Sequence, residues 1–142
     1  MKTIYLFDVD GTLTPAKSKI EQSFAKDFYN WQKQKEAYIV SGGSFPRIVD
    51  QLGRKITDQM LGVFSCMGNA HYKKITDIDG YSSWSLIYEN KFTVDKPKLF
   101  FSELERYVMN SGYHTKTGRH YEERVGMVNF SIVGRNATMK QR

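Results

Sequence analysis

Apolar and polar residues along the first 65 positions fall into blocks that predict strands and helices in alternation. Residues 2–7 form a short apolar, β-prone run that ends in acidic residues and a glycine. Such a run is typical of a buried parallel strand that feeds a loop. Residues 37–40 and 60–65 repeat the pattern and predict two further strands.

Two helices are predicted between these three strands. The first carries an apolar stripe with spacings of four, four and three, made of Ile20, Phe24, Phe28 and Trp31. The second begins near Pro46, since proline is favoured in a first helical turn, and it ends at Gly53. The order strand, helix, strand, helix, strand predicts parallel strands joined by right-handed crossovers.

The pattern changes after about residue 68. Residues 70–75 and 84–88 look like short strands joined through a turn at Asp79 and Gly80. A helix is predicted over about 95–110, with Gly112 beyond its end. Two runs then follow, residues 119–124 and 127–133, and predict an antiparallel hairpin.

These patterns predict an α/β protein in two lobes, with the boundary near residues 76–83. Residues 1–78 form part of a Rossmann-like core with a parallel sheet, and residues 79–142 form part of an α+β lobe.

Composition is that of a globular protein, with 40% hydrophobic, 14% aromatic and 25% charged residues in 142. The single cysteine, Cys66, cannot form an internal disulfide, which fits a reducing compartment. No run of residues is long and apolar enough for a signal peptide or a membrane span. We therefore expect a cytoplasmic protein without a membrane partner.

The net charge of +6 raises the possibility of nucleic-acid binding. The basic residues are scattered, with small groups at 73–74 and 135–142, and no nucleic-acid motif accompanies them. We expect no nucleic-acid partner, and we assign the charge to solvated surface and to an anionic small substrate.

Asp8 and Asp10 follow the first predicted strand directly. They therefore lie at the carboxyl edge of a parallel sheet, where open α/β folds bind ligands, and Gly11 permits the bend that brings both side chains together. Paired carboxylates can hold Mg²⁺, which binds oxygen ligands and phosphate oxygens. With charge neutralised in this way, a carboxylate can attack phosphorus and form an aspartyl phosphate.

Residues 8–14, Asp-Val-Asp-Gly-Thr-Leu-Thr, closely resemble the nucleophile motif of the haloacid dehalogenase superfamily. The resemblance implies that Asp8 is the nucleophile and a ligand of Mg²⁺. It implies that Asp10 is the general acid and base and binds the metal through its backbone carbonyl.

The superfamily's second motif is a small hydroxyl residue after the next core strand, and Ser41 with Gly42 fits it. The hydroxyl and neighbouring backbone N–H groups would bind phosphoryl oxygens, as loops that enter helices commonly do. Ser44 is the alternative for this role, and either serine could instead be the N-cap of the helix that follows.

Residues 123–135, together with the spacing from Arg135 to Arg142, resemble the signature hairpin of eukaryotic-type phosphomannomutases. In that family the corresponding arginines grip a phosphate of the hexose ligand, which implies this role for Arg124, Arg135 and Arg142. Guanidinium forks bind phosphate bidentately and remain charged, so the physical chemistry agrees. Lys17 stands where the family usually has another ligand-facing arginine, and Met67 stands where an asparagine is customary.

This resemblance implies phosphotransfer on hexose phosphates in mannose metabolism, from hexose 6-phosphate to hexose 1-phosphate. It implies Mg²⁺ and a hexose bisphosphate activator as cofactors, a sugar phosphate as the small-molecule partner, and a homodimer formed through the cap, residues 79–142. Family members continue beyond the position of Arg142, so we expect the chain to be the N-terminal portion of a longer enzyme. Two alternatives remain open: a sugar-phosphate phosphatase of the same superfamily, and a catalytically incomplete phosphosugar-binding fragment.

Overall fold

A computed structural model describes residues 2–141 of the chain. The described chain divides into two compact units, residues 1–90 and 91–142. The hairpin that crosses the predicted lobe boundary at 78–79 lies wholly within the first unit, because its two strands are paired along their whole length.

The first unit contains a five-stranded sheet with three helices. The strands are β1 (Ile4–Phe7), β2 (Glu36–Val40), β3 (Gly62–Ser65), β4 (Ala70–Thr76) and β5 (Ser82–Glu89), in that spatial order. The helices are α1 (Gln22–Gln32), α2 (Phe45–Leu52) and the single turn α3 (Arg54–Thr57). The predicted strand and helix order is confirmed, and α3 is an addition that the sequence patterns did not predict.

Strands β1, β2 and β3 are parallel, whereas β4 and β5 continue the same sheet in antiparallel fashion. Parallel pairing places the carboxyl ends of β1, β2 and β3 at one edge of the sheet. The loops after these three strands therefore begin side by side, and this edge positions the candidate site.

The helices cover one face of the sheet, where the core is packed. Its buried members include Phe28 of α1, Ile48 of α2, Ile56 of α3 and Ile39 of β2. Successive strand residues point to opposite faces of the sheet, so alternate residues of β1, Ile4 and Leu6, lie on the uncovered face. Ile4 and Leu6 are accordingly 61% and 59% exposed. The prediction of a buried first strand was wrong for Ile4 and Leu6, because one face of the sheet is left uncovered at β1.

The second unit contains α4 (Pro97–Asn110) and the antiparallel hairpin of β6 (Tyr121–Arg124) and β7 (Met127–Phe130). A 3₁₀ turn follows at Met139–Gln141. Helix α4 packs on the hairpin through stacked rings of Phe101 and Tyr121, whose centroids are 4.7 Å apart. The predicted helix and hairpin are confirmed.

No helix within residues 2–141 is both long enough and apolar enough to cross a lipid bilayer.

Candidate active site

The loop after β1 is anchored by burial of residues at its two ends. Val9 is fully buried, and Leu13 and Thr14 are each 4% exposed. The backbone carbonyl of Val9 accepts hydrogen bonds from the N–H groups of Leu13 and Thr14, each at 3.0 Å. Because these residues are held in the core, Asp8 and Asp10 are left on the solvent side.

Gly11 makes the bend in this loop with φ of +83°. Its N–H donates to the Thr14 carbonyl at 2.7 Å, which closes the turn. A positive φ of this size favours glycine, so the predicted bend at Gly11 is confirmed.

The two carboxylates have different surroundings. Oδ1 of Asp8 accepts a hydrogen bond from the N–H of Val9 at 2.7 Å. Oδ1 of Asp10 accepts two, from the N–H of Lys17 at 2.8 Å and from Nε2 of Gln51 at 2.7 Å. Asp10 is therefore held in one orientation by residues of two other segments.

Lys17 lies at the surface close behind this loop, with an unusual φ of +59°. Its backbone N–H contacts Asp10. A contact between its ammonium group and a ligand stays a prediction.

The side chain of Asp8 and the backbone carbonyl of Asp10 fit a magnesium ion that keeps several water ligands. Within residues 2–141 there is no cluster of three or more His, Cys, Asp or Glu side chains that could hold a metal. Mg²⁺ is commonly held by one or two carboxylates together with substrate phosphates. In the described residues the backbone carbonyl of Asp10 accepts no hydrogen bond, so it is also available as a ligand.

Ser41 begins the loop after β2 and is 4% exposed. Its N–H donates to the carbonyl of Phe64 in β3 at 2.9 Å, and its Oγ accepts from the N–H of Gly43 at 3.1 Å. Ser44 occupies the N-cap position of α2, but its side chain makes no capping hydrogen bond. Ser41 is thus built into the sheet edge, and neither serine caps α2 through its side chain.

The loop after β3 adjoins the Ser41 loop directly. The N–H of Met67 donates to the Ser41 carbonyl, and the N–H of Cys66 donates to the Gly43 carbonyl, both at 2.9 Å. Cys66 and Met67 have φ of +51° and +60°, which is uncommon for residues other than glycine. Met67 is 69% exposed, and its Sδ would lie 3.3 Å from a Cβ placed on Gly42. The strained methionine therefore flanks the predicted phosphoryl-binding loop.

Arg124 and Arg135 are brought together in the second unit by Glu122. Nη2 of Arg124 and Nη2 of Arg135 lie 3.0 Å and 2.6 Å from the same Oε2 atom of Glu122. Nε of Arg124 also donates to Oε1 at 3.2 Å. The two arginine side chains are only 10% and 20% exposed. Two largely buried guanidinium groups thus converge on one carboxylate, whose own side chain is 42% exposed, through charge-assisted contacts.

Arg135 also lines an open cavity of about 960 Å³ within the second unit. Arg119, His120 and Glu105 contribute to the same wall. A cavity of this size accommodates a small-molecule ligand. Arg142, the third predicted phosphate ligand, lies outside the described residues.

Gly134 holds the backbone next to Arg135 in place. It has φ of +85°, and a Cβ on it would lie 1.9 Å from the carbonyl oxygen of Thr117. The N–H of Arg135 in turn donates to the Arg119 carbonyl at 2.8 Å. Only glycine permits this close approach.

We therefore expect Gly134→Ala to lower the free energy of unfolding by about 1–3 kcal/mol. Gly112→Ala is the matched control, because Gly112 has φ of +74° but no atom within 4 Å of the added Cβ. The Gly134 variant should lose more stability in urea titrations. Equal losses would show that the Thr117 backbone moves aside without cost.

Comparisons with known proteins decide the family. A family model described as eukaryotic phosphomannomutase matches residues 24–142. The chain belongs to the eukaryotic phosphomannomutase family. It is 30% identical to the phosphomannomutase of Spinacia oleracea over 139 residues, covering 98% of this chain and 54% of the relative. It is also 30% identical to that of Saccharomyces cerevisiae over 141 residues, covering 99% and 54%. The chain therefore spans about half the length of these phosphomannomutases.

Solved structures establish the fold independently. A sugar phosphatase of haloacid dehalogenase subclass IIB matches with a TM-score of 0.51 and 20% identity, over 73% of this chain and 38% of the other. An IMP-nucleotidase of Plasmodium falciparum matches with a TM-score of 0.51 and 12% identity, over 87% and 38%. The predicted α/β class, a partial Rossmann-like core of the haloacid dehalogenase type, is confirmed.

Two residues that contact the predicted site were missed by sequence reasoning, Gln51 and Glu122. Gln51 is a polar residue on the apolar face of α2, at helical spacing from Ile48. Glu122 and Arg124 are two positions apart on β6, so their side chains point to the same face. These two spacings are the signals that could have identified them in this member of the phosphomannomutase family.

Proposed function

We propose that the protein interconverts hexose 6-phosphate and hexose 1-phosphate through a phosphorylated Asp8 and a hexose bisphosphate. The observation that carries the proposal is the convergence of Arg124 and Arg135 on one carboxylate oxygen. A carboxylate bound by two guanidinium groups occupies the kind of place that a phosphate takes. A mutase needs such a second phosphate site in addition to its nucleophile, whereas a phosphatase does not.

The reaction balances with the residues of the first unit. In the first step Asp8 attacks one phosphorus of a hexose bisphosphate, the bond between that phosphorus and the sugar oxygen breaks, and Asp10 gives its proton to the leaving hexose monophosphate. The free hydroxyl of a hexose monophosphate then gives its proton to Asp10 and attacks the phosphorus on Asp8, and the bond between phosphorus and the Asp8 oxygen breaks. The bisphosphate so formed turns over, and Asp8 attacks its other phosphorus. Asp10 returns the proton to the leaving sugar oxygen.

The remaining predicted residues take binding roles in this proposal. Asp8 and the backbone carbonyl of Asp10 would hold Mg²⁺, which supplies charge neutralisation for the phosphoryl group. Ser41 and the N–H of Gly42 bind phosphoryl oxygens beside the nucleophile. Lys17 adds a positive charge close to the same loop. Arg124, Arg135 and Arg142 hold the phosphate that does not react.

Homodimerisation through the cap and a cytoplasmic location complete the proposal. The single cysteine is consistent with a reducing compartment.

Replacing Arg135 by Ala tests the second phosphate site. In the full-length protein, Arg135→Ala should weaken hexose monophosphate binding about tenfold to a hundredfold, since one charge-assisted contact to a desolvated phosphate is lost. Arg135→Lys should restore binding only partly, because it supplies a charge without the fork. Acetyl phosphate, which has no second phosphate, should still phosphorylate Asp8 at the wild-type rate. The measurement is isomerisation and Asp8 phosphorylation side by side.

Arg106→Ala is the control for this test. Arg106 lies on α4 in the same unit and makes an exposed ion pair with Glu103 at 2.6 Å, away from Glu122. Arg106→Ala should leave both isomerisation and Asp8 phosphorylation unchanged. If Arg135→Ala also left both unchanged, the hairpin would be ordinary surface, and the phosphatase alternative would take the place of the mutase. If both activities fell together, Arg135 would be supporting the fold.

A further inference from the structure

Gln51 is a buried polar residue on a helix whose inward face is otherwise apolar. It lies on α2 between Ile48 and Leu52 on the inward face, and it is 4% exposed. A buried amide costs free energy unless its donors and acceptors find partners. Its partners therefore show what the glutamine does at this position.

Those partners are all in the loop that carries the carboxylates. Nε2 of Gln51 donates to Oδ1 of Asp10 at 2.7 Å and to the backbone carbonyl of Ser18 at 3.2 Å. The backbone carbonyl of Gln51 accepts from the N–H of Ile20 at 2.9 Å. One residue of α2 thus ties both ends of the segment between Asp10 and Ile20 to the core.

The two carboxylate oxygens of Asp10 differ in the hydrogen bonds that they accept. Oδ1 accepts N–H groups from both Gln51 and Lys17, at 2.7 Å and 2.8 Å. Across residues 2–141, no hydrogen bond from the protein reaches Oδ2. A carboxylate with one oxygen doubly held cannot rotate freely, and its second oxygen remains for chemistry.

We infer that Gln51 is a positioning residue that fixes Asp10 through Oδ1 and leaves Oδ2 as the atom that carries the proton. This inference rests on the proposed function, in which Asp10 moves a proton to and from the sugar oxygen. Gln51 does not touch the substrate in this scheme and acts only through Asp10. Its effect should therefore appear only in steps that need the proton.

The choice of phosphoryl donor separates such steps. A sugar oxygen is a poor leaving group and must receive a proton when its bond to phosphorus breaks, whereas acetate leaves from acetyl phosphate without one. Gln51→Met keeps the length and apolar packing of the side chain and removes its N–H donors. In the full-length protein, Asp8 phosphorylation by a hexose bisphosphate should slow about tenfold. Phosphorylation by acetyl phosphate should stay near the wild-type rate, as rapid-quench measurements would show.

Gln32→Met is the matched control. Gln32 is also a buried glutamine, 1% exposed, but its Nε2 donates to the Ile56 carbonyl at 3.1 Å, outside the carboxylate loop. This variant should not slow Asp8 phosphorylation by one phosphoryl donor more than by the other. Gln51→Asn, which withdraws the amide by one methylene, is the second variant if Gln51→Met does not fold, and it should show the same donor selectivity.

A double-variant cycle tests whether Gln51 acts through Asp10. Adding Gln51→Met to Asp10→Asn should slow transfer from the bisphosphate no further, since the effect of Gln51 passes through the missing carboxylate. Additive losses, or equal slowing with both donors, would assign Gln51 a purely structural role and overturn the inference. A wild-type protein without any phosphorylation of Asp8 would instead refute the proposed function, and the inference with it.

Discussion

Asp8→Asn should abolish phosphorylation of the protein while leaving its fold intact. Asp8 is on the solvent side of its loop, and within residues 2–141 its side chain accepts a single hydrogen bond, from the N–H of Val9 at 2.7 Å. Asparagine has nearly the same shape and keeps an oxygen that can accept this bond. The amide is not a nucleophile toward phosphorus, so the acyl phosphate cannot form. The loss of transfer should be complete within detection.

The measurement is labelling of the full-length protein by acetyl phosphate or a hexose bisphosphate in the presence of Mg²⁺. Wild type should carry an acid-stable, base-labile phosphoryl group, and the Asn variant should carry none. Asp27→Asn is the control, because Asp27 is an exposed aspartate on α1. Labelling that persisted in the Asp8 variant would place the nucleophile elsewhere. An unchanged thermal midpoint would separate lost chemistry from lost folding.

Local sequence patterns were sufficient for most of the fold. Gly11 and the apolar positions around it predicted the loop after β1, and residues 119–133 predicted the hairpin around Gly126. These features are local, because periodicity and turn residues determine them. The pairing of β4 with β3 was not predicted, because sheet membership depends on contacts distant along the chain.

The same limit explains what was and was not predicted of the candidate site. Asp8, Asp10 and Ser41 follow strands directly, so a strand pattern suffices to place them at one edge of the sheet. The partner of Asp10 is Gln51, which is 41 positions away. Such a contact depends on how α2 packs against the loop. Local sequence patterns do not predict contacts between residues so far apart along the chain. Glu122 was not predicted for another reason: the family resemblance pointed to the arginines and not to the carboxylate that binds both of them.

Asp10→Asn should slow transfer from a hexose bisphosphate to Asp8 by about 10²–10⁴-fold, the usual cost of losing a positioned acid or base. The variant should keep the loop conformation. Asparagine retains Oδ1, which can still accept the N–H groups of Lys17 and Gln51 at their present positions. Only the second oxygen is replaced, and with it the capacity to carry a proton. Transfer from acetyl phosphate should therefore persist, since acetate leaves without a proton.

Binding of Mg²⁺ distinguishes this role of Asp10 from that of a side-chain metal ligand. The backbone carbonyl of Asp10 is unchanged in Asp10→Asn, so calorimetric titration should give an affinity close to that of wild type. A large loss of affinity would show that the Asp10 carboxylate itself binds the ion. Transfer from the bisphosphate at the wild-type rate would show that another group moves the proton. Slow transfer from the bisphosphate with normal metal binding and normal acetyl phosphate labelling is the combination that only a proton-carrying Asp10 produces.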